Sequence, residues 1–314
     1  MTKAKISEII ACVTEMAPEG LAEPWDNCGL LIDTERGETD RVVVCLDVTS
    51  AVVDEAVRFG AGLILCHHPL IFSPIKRIDS GSAPGSLIRA LIRHDIGVYA
   101  AHTNVDKTYG GLNDLLAGIV GLDTSAGEGG EATAPECYRI GELPRAYAPE
   151  EFAAYLCTRL KQGDLSVSGL GCAYGLGGAN GLGGASVDTG RNTRGGRGVE
   201  AARNGEAARN GEAARNGETA PARIRRVAVM CGAYDMDARL LAARGVDAVL
   251  CGEIRHHQAL ELADRGIFTV AAGHHGTERF FLQLAEKWVR EKFPELGVLG
   301  VGFNDYPLRP FPPV

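Results

Sequence analysis

The sequence has no long apolar run, no Cys-x-x-Cys pair and no dense run of basic residues. A membrane span needs about 18 consecutive apolar residues, and no stretch approaches that length. There are nine cysteines, an odd number, and they are scattered along the sequence. This pattern argues against both a disulfide framework and a thiolate zinc site. A net charge of −8 without a basic run disfavours binding to nucleic acid. The first residues are typical of an amphipathic helix rather than a signal peptide, so we expect a cytoplasmic protein without a membrane partner.

The composition favours a packed globular protein of one large domain or two smaller ones. The chain has 314 residues, of which 45% are hydrophobic and 23% are charged. Short apolar runs typical of buried strands alternate with helical patterns, and this alternation predicts an α/β fold. The strands are predicted at residues 41–46, 62–66, 96–101, 226–230 and 247–251, and the clearest helices at residues 52–59 and 86–94.

Residues 169–218 differ in composition from the rest of the chain. Fifteen of the 41 glycines lie there, and the stretch ends in three copies of Ala-Ala-Arg-Asn-Gly-Glu. Such a segment cannot bury enough apolar surface to become ordered, which predicts a flexible loop at about residues 169–222. A phosphate-binding glycine loop is the alternative, but the stretch lacks the required lysine and a preceding strand. The expected lobes are residues 1–124 and 125–314, and the segment from about residue 274 could pack back on the first lobe.

The two halves of the chain resemble each other. Residues 226–251 match residues 41–66 without a gap at a constant offset of 185, and six of the 26 positions are identical. Farther along, the pattern Ala-Ala-His-x-x-x-Asp that ends at Asp106 returns as Ala-Ala-Gly-His-x-x-x-Glu, ending at Glu278. We infer an internal duplication.

Seven of the eight histidines lie in or beside motifs that follow predicted strands, where α/β sheets bind their ligands. Pro69 keeps His68 extended, so His67 and His68 point to opposite sides and could reach two ions, one each. His102 and Asp106 stand four residues apart, as do His274 and Glu278, so each pair would share one face of a helix. Histidine and carboxylate ligands suit zinc, manganese and non-haem iron. Alternatively, the two carboxylates could simply stabilise helix N-termini.

Five motifs in this order resemble the NIF-three-like family, also named GTP cyclohydrolase I type 2 homologues or dinuclear metal centre hexameric proteins. The motifs are Glu-Pro-Trp-Asp-Asn-Cys-Gly-Leu at 23–30, Cys-His-His-Pro-Leu-Ile-Phe at 66–72, Ala-His-Thr-Asn-Val-Asp at 101–106, Gly-Glu-Ile-Arg-His-His at 252–257 and Gly-His-His-Gly-Thr-Glu at 273–278. The resemblance covers nearly the whole chain except the glycine-rich segment. It implies two duplicated α/β lobes related by a pseudo-dyad, with the metal site between them, assembled into a toroidal homo-hexamer.

The resemblance also implies a set of site residues. Two divalent ions per chain, either iron, zinc or manganese, would be bound by His67, His68, Asp106, His274 and Glu278, with Glu278 bridging them. His102 would orient a ligand or contact the substrate, and Glu253 and His257 would line the pocket, so these three are the candidate catalytic residues. The roles of His275 and of the loop at residues 25–27 stay open. Cys66 is expected to be a buried apolar group rather than a ligand.

The implied function is that of a dinuclear metal-dependent hydrolase with a small-molecule substrate. A metal-activated water would attack the guanine ring of GTP or a related nucleotide. A second enzyme hypothesis keeps the site and hydrolyses another phosphorylated metabolite. The third alternative is a non-enzymatic metal-binding scaffold or regulatory interaction protein.

Overall fold

The computed structural model describes residues 2–125, 136–163, 165–168, 174–176, 221 and 223–302. Within these ranges the helices are α1 (Ile6–Met16), α2 (Ser50–Phe59), α3 (Ala83–His94), α4 (Thr103–Lys107), α5 (Leu112–Val120), α6 (Pro149–Leu160), α7 (Ala238–Ala243), α8 (His256–Asp264), α9 (His274–Glu278) and α10 (Phe281–Lys292). The strands are β1 (Ala4–Lys5), β2 (Gly29–Ile32), β3 (Glu38–Thr39), β4 (Arg41–Cys45), β5 (Leu63–Cys66), β6 (Gly97–Ala100), β7 (Arg139–Tyr147), β8 (Leu165–Ser168), β9 (Tyr174–Leu176), β10 (Ile224–Val229), β11 (Ala248–Cys251), β12 (Phe268–Ala271) and β13 (Gly297–Val301). None of these helices combines the length and the apolar character needed to cross a membrane.

The chain has a mixed α/β fold with two main sheets. The first sheet has the order β13-β4-β5-β6-β2, in which β2 alone is antiparallel to its neighbour. The second has the order β7-β10-β11-β12-β8-β9, with β10, β11 and β12 parallel and the other strands antiparallel. The parallel strands that the sequence predicts as short apolar runs are β4, β5, β6, β10 and β11, as expected of strands covered on both faces. The parallel strands β12 and β13 were not predicted.

The register of the parallel strands agrees with the sequence match between the two halves. Val42 lies opposite Leu63 in the first sheet. Val227 lies opposite Ala248 in the second, and each of these residues is 185 positions after its counterpart. The third strand continues the correspondence, since Cys66 pairs with Ala100 and Cys251 pairs with Ala271. The two βαβαβ units therefore bring equivalent residues to the carboxyl ends of their strands.

The two sheets share one apolar core. Alternate residues of β4 point to opposite faces: Val42 and Val44 belong to the shared core, and Val43 and Cys45 face an outer core. The shared core also contains the inward side chains of β10, β11 and β12 and residues of α1, α5, α6 and α10. The outer helices are α2 and α3 on the first sheet and α7 and α8 on the second. Both sheets are therefore packed against a common layer of helices.

Several elements differ from or extend the sequence expectations. The strands β7 and β8 were not anticipated, because both contain polar residues and neither is a continuous apolar run. They pair antiparallel to β10 and β12, at opposite sides of the parallel strands. Most of the predicted loop at about residues 169–222 lies outside the described residues. Within it, however, Tyr174–Leu176 forms β9 and pairs with β8, so the prediction of a loop is wrong for these residues. The C-terminal strand β13 lies beside β4 in the first sheet.

Candidate metal centre

His67 and His68 follow β5 at the carboxyl edge of the first sheet. Their backbone amides donate to the carbonyls of Cys45 and Leu46, at 3.1 and 2.9 Å, so the parallel pairing continues through both residues. The imidazole of His67 is fully buried and its Nδ1 donates to the Ala101 carbonyl at 2.9 Å. Burial lowers the pKa of His67, which keeps the ring neutral. Its Nε2 therefore presents a lone pair to the interior of the site.

No hydrogen bond satisfies this lone pair. His67 Nε2 lies 3.9 Å from Asp106 Oδ1 and 3.7 Å from Glu278 Oε1, which is too far for a hydrogen bond. Both His67 Nε2 and Asp106 Oδ1 are buried atoms without a partner among the described residues. Such unsatisfied buried groups are costly, and a cation held between these three atoms would satisfy them.

The ring of His68 lies beside that of His67, with the two ring centroids 5.0 Å apart, although an extended backbone would point the side chains to opposite sides. Its Nδ1 contacts Asp47 Oδ1 and its Nε2 contacts Glu278 Oε2, both at 2.8 Å. Burial disfavours the charged ring, but the hydrogen bonds to Asp47 and Glu278 outweigh this cost and raise the pKa of His68 to about 10. Oε2 of Glu278 thus faces His68, whereas its Oε1 faces His67 and His274, so one carboxylate reaches all three histidines.

The short helices α4 and α9 carry the carboxylates Asp106 and Glu278. Burial first, and then the charge of Glu278, raise the pKa of Asp106 well above its ordinary value. Burial opposes the charge of Glu278 as well, but hydrogen bonds led by that from His274 hold its pKa well below the usual range. His274 Nε2 lies 3.1 Å from Glu278 Oε1, one helical turn away. Its Nδ1 lies 3.2 Å from Glu253 Oε1, so Glu253 orients the ring.

His102 lies closer to the cluster than the sequence analysis expects. One ring nitrogen from each of His67, His68 and His102 lies within 4.8 Å of the others, and His68, His274 and Glu278 form a second such group. The Nδ1 of His102 contacts Asp26 Oδ1 at 2.8 Å. His102 is therefore a candidate ligand in addition to its expected role as an orienting or substrate-contacting residue.

Asp26 gives the loop at residues 25–27 a defined place beside the site. One of its carboxylate oxygens accepts from the Thr103 amide at 3.1 Å and from the Thr103 hydroxyl at 2.5 Å. Burial alone would raise the pKa of Asp26, but hydrogen bonds from His102 and Thr103 lower it far below the ordinary value. The carboxylate is therefore charged and fixes the orientation of His102.

The structure brings most of the sequence-predicted site residues together, with one exception. His67, His68, His102, Asp106, Glu253, His274 and Glu278 converge between the two sheets. His257 is exposed on α8 and is not among the described residues that line the cavity. Cys66 is fully buried in the core, where burial raises the pKa of its thiol to about 12, as suits an apolar role.

Two functional positions escaped the sequence analysis, namely Asp47 and Gly232. They are equivalent in the duplication, since they lie 185 residues apart after β4 and β10. Asp47 contacts His68. A Cβ atom at Gly232 would collide with Glu278 Oε1, so glycine makes room for the carboxylate. The offset between the two halves was the signal that could have found this pair.

The cluster opens into a cavity of about 600 Å³. Asp106, Glu278, His102 and His274 form part of its wall. The remaining described wall includes the aromatic residues Trp25 and Phe72, the carboxylates of Glu23, Glu136, Asp235 and Glu253, and the guanidinium of Arg255. A small molecule in this cavity would lie against the histidine–carboxylate cluster.

Comparison with known proteins finds relatives that match a part or most of the chain. A relative from Halalkalibacterium halodurans, named GTP cyclohydrolase 1 type 2 homolog, is 46% identical over 114 residues, which are 36% of this chain. The match spans only 31% of the length of that relative. A relative of the same name from Nostoc sp. is 31% identical over 282 residues, covering 88% of this chain and 87% of the relative.

The fold is also found among solved structures. The crystal structure of a Bacillus cereus protein related to NIF3 has a TM-score of 0.73 and 22% identity, and the match covers 98% of this chain and 99% of that one. The family model described as Duf34/NIF3 (NGG1p interacting factor 3) matches residues 4–173 and 199–306. The chain therefore belongs to the DUF34/NIF3 family.

Proposed function

We propose that the protein binds two divalent metal ions and hydrolyses the ring of a guanine nucleotide or nucleoside. The observation that carries the proposal is the pair of buried, unpartnered atoms His67 Nε2 and Asp106 Oδ1, which face each other and Glu278. The name GTP cyclohydrolase 1 type 2 homolog, carried by the relatives from H. halodurans and Nostoc, supports this choice of reaction.

The donor set fits two ions. His67 and Asp106 would bind at one position and His68 and His274 at the other. Glu278 would contribute to both, since its Oε1 faces His67 and His274 and its Oε2 faces His68. His102 is available to the first position. Imidazole and carboxylate donors without thiolate suit iron, zinc and manganese.

The reaction would be hydration at C8 of the guanine ring, ring opening and release of formate. When bound, two ions would lower the pKa of a nearby water, and their positive charge would polarise the ring atoms that this water attacks. His102, fixed by the charged Asp26, is placed to transfer protons as water adds to C8 and the bond from C8 to a ring nitrogen breaks. A second water would then cleave the resulting formamide, leaving formate and an amine. Glu253 would keep His274 in its binding orientation.

The first experiment measures metal content per chain in protein purified without chelator or nickel affinity resin. We expect about two ions per chain in the parent protein and fewer in His67→Ala and Glu278→Gln. His94→Ala is the matched control, because His94 is exposed at the end of α3. An absence of stoichiometric metal after anaerobic reconstitution would reject the metal centre.

The second experiment supplies guanosine, GMP and GTP to the metal-loaded protein and measures formate. We expect formate from at least one of these compounds and none with Glu278→Gln. Full metal occupancy without formate would reject the hydrolysis of the guanine ring and leave the other hydrolase and the metal-binding scaffold as alternatives.

We further propose that the chain assembles as a toroidal homo-hexamer, with lobes at about residues 1–124 and 125–314 related by a pseudo-dyad. The matching register of the two βαβαβ units supports the relation between the lobes. Light scattering on the purified protein tests the assembly, and a mass other than that of six chains would contradict it.

A further inference from the structure

Two exposed aromatic side chains lie at the wall of the cavity next to the histidine cluster. Trp25 is 57% exposed and Phe72 is 50% exposed, although large aromatic side chains usually bury most of their surface. Their ring centroids are 6.0 Å apart, and each lies 6.4 Å from the ring of His102. The aromatic pair therefore adjoins the candidate metal centre directly.

The loops that carry this pair are fixed to each other and to the site. Asn27 Nδ2 donates to the Ile71 carbonyl, at 2.5 Å, which joins the loop of Trp25 to the loop of Phe72. The Glu23 amide donates to the Thr103 hydroxyl at 2.9 Å, on the same helix α4 that carries Asp106. Because the two loops are already fixed, a ligand ring that stacks here would cost little conformational entropy of the protein.

The charge of the cavity wall away from the metal ligands disfavours a highly anionic group. Glu23 is paired with Lys107 at 2.6 Å, and two divalent ions would more than neutralise Asp106 and Glu278 beside the reacting ring. The rest of the described wall has the carboxylates of Glu136, Asp235 and Glu253 against the single guanidinium of Arg255. With the ring beside the ions, a polyphosphate chain would lie against this part of the wall, whose excess of negative charge would repel it.

We propose that Trp25 and Phe72 form a stacking platform for the planar heteroaromatic ring of a weakly charged substrate. The ring would stack on Trp25, and Phe72, tilted by 59° against Trp25, would contact the edge of the ring. A nucleobase, nucleoside or nucleoside monophosphate fits this description, whereas a triphosphate does not. The inference rests on the proposed function for its reaction, since the platform would hold the ring beside the ligands of the metal ions. It narrows the substrate class from guanine compounds in general to those with few phosphates.

The test uses the fluorescence of the metal-loaded full chain. Of the two tryptophans in the sequence, Trp25 is exposed and Trp288 is 4% exposed, so a stacked ring should quench Trp25. The probes are guanosine, GMP, GTP and, as a non-aromatic control, ribose 5-phosphate. Equilibrium dialysis measures how tightly Trp25→Phe and Trp25→Ala bind these probes. Ile92→Ala is the control, because it removes an exposed apolar side chain on α3.

We expect guanosine and GMP to bind at least as tightly as GTP, and ribose 5-phosphate not to quench. Trp25→Ala should weaken guanosine binding by roughly tenfold or more, because stacking on an aromatic side chain is lost. Trp25→Phe should retain most of the affinity, Ile92→Ala should retain all of it, and metal content should not change. An affinity that rises with each added phosphate, or a Trp25→Ala variant that binds guanosine like the parent, would overturn the proposal.

The formate assay separates this inference from the proposed function. Guanosine that binds through Trp25 without releasing formate would reject the hydrolase and leave the platform in place. Formate release with an unchanged KM in Trp25→Ala would reject the platform and leave the hydrolase in place.

Discussion

Asp106 occupies a position that is unfavourable for folding and suitable for binding a cation. Its side chain is buried, one oxygen has no partner, and burial together with the Glu278 charge raises its pKa well above the ordinary value. A carboxyl group whose pKa is raised by folding favours the folded state most at pH values below the pKa that the group has in the unfolded chain. That stabilisation is lost as the pH rises toward the pKa of the folded state, so ionised Asp106 destabilises the metal-free protein.

Asp106→Asn should therefore stabilise the metal-free protein at neutral pH, by about 1–3 kcal/mol, because no buried charge remains. The variant should also gain less stability from added metal than the parent does, because one ligand is missing. Urea unfolding at acidic and neutral pH, with chelator and then with metal, measures both effects. Asp54→Asn, at an exposed position of α2, is the control. A chelator-treated Asp106→Asn that is less stable than the parent would indicate a structural role for Asp106.

His68 links metal binding to the release of protons. Because the hydrogen bonds to Asp47 and Glu278 raise its pKa to about 10, the metal-free ring is charged at neutral pH. A metal ion binds only the neutral ring, so each binding event at this position should release a proton, and affinity should rise with pH. Calorimetry in buffers of different ionisation enthalpy counts the protons, and Asp47→Asn should reduce their number. An affinity independent of pH between about pH 6 and pH 8 would exclude His68 as a ligand.

At the scale of secondary structure, the turn after β10 shapes the site through a glycine. Gly232 has a φ of +66°, its amide donates to the Thr277 hydroxyl at 3.0 Å, and a Cβ here would collide with Glu278. Gly245 has nearly the same φ, +65°, but a Cβ there would meet no atom within 4 Å. Substitutions at the two glycines would therefore distinguish the cost of backbone strain, which both share, from crowding of Glu278, which occurs only at Gly232.

Gly232→Ala should lower metal content, whereas Gly245→Ala should retain it. Both variants place a side chain in the left-handed region, and each should lose about 1 kcal/mol of stability for that reason. Only Gly232→Ala displaces Glu278. Metal analysis and thermal unfolding of the two variants distinguish the effects, and equal metal content in both would show that Glu278 tolerates displacement.

The sequence predicts β4, β5, β6, β10 and β11, because the apolar runs that mark these strands are local patterns. The candidate ligands were proposed from motifs that follow strands at their carboxyl ends. The strands β7 and β8 depend instead on pairing with distant partners. Likewise, the roles of Asp47 and Gly232 arise only where His68 of one half meets Glu278 of the other. His257 was proposed as a residue of the pocket from its motif, yet it is exposed on α8. Tertiary packing, which the motif does not encode, decides which face of a helix points into the cavity.

At the scale of the whole molecule, the two sheets depend on a common helical layer. α10 and β13 follow the second sheet in sequence, yet β13 pairs with β4 of the first sheet, and α10 packs in the shared core. A fragment of residues 1–125 would therefore lack the neighbour of β4 and much of the apolar cover of its sheet. Elements that share one core unfold together.

We therefore expect the described fold to unfold in one cooperative transition rather than lobe by lobe. In Trp25→Phe the remaining tryptophan, Trp288, lies buried on α10 and reports on the shared core. In chelator-treated protein, its fluorescence and the far-ultraviolet circular dichroism should change at the same urea concentration, because loss of the helical layer exposes both sheets. The isolated fragment of residues 1–125 should show no cooperative transition of its own. A fragment that unfolds cooperatively, or two separated transitions in the full chain, would mean that the lobes fold as independent domains.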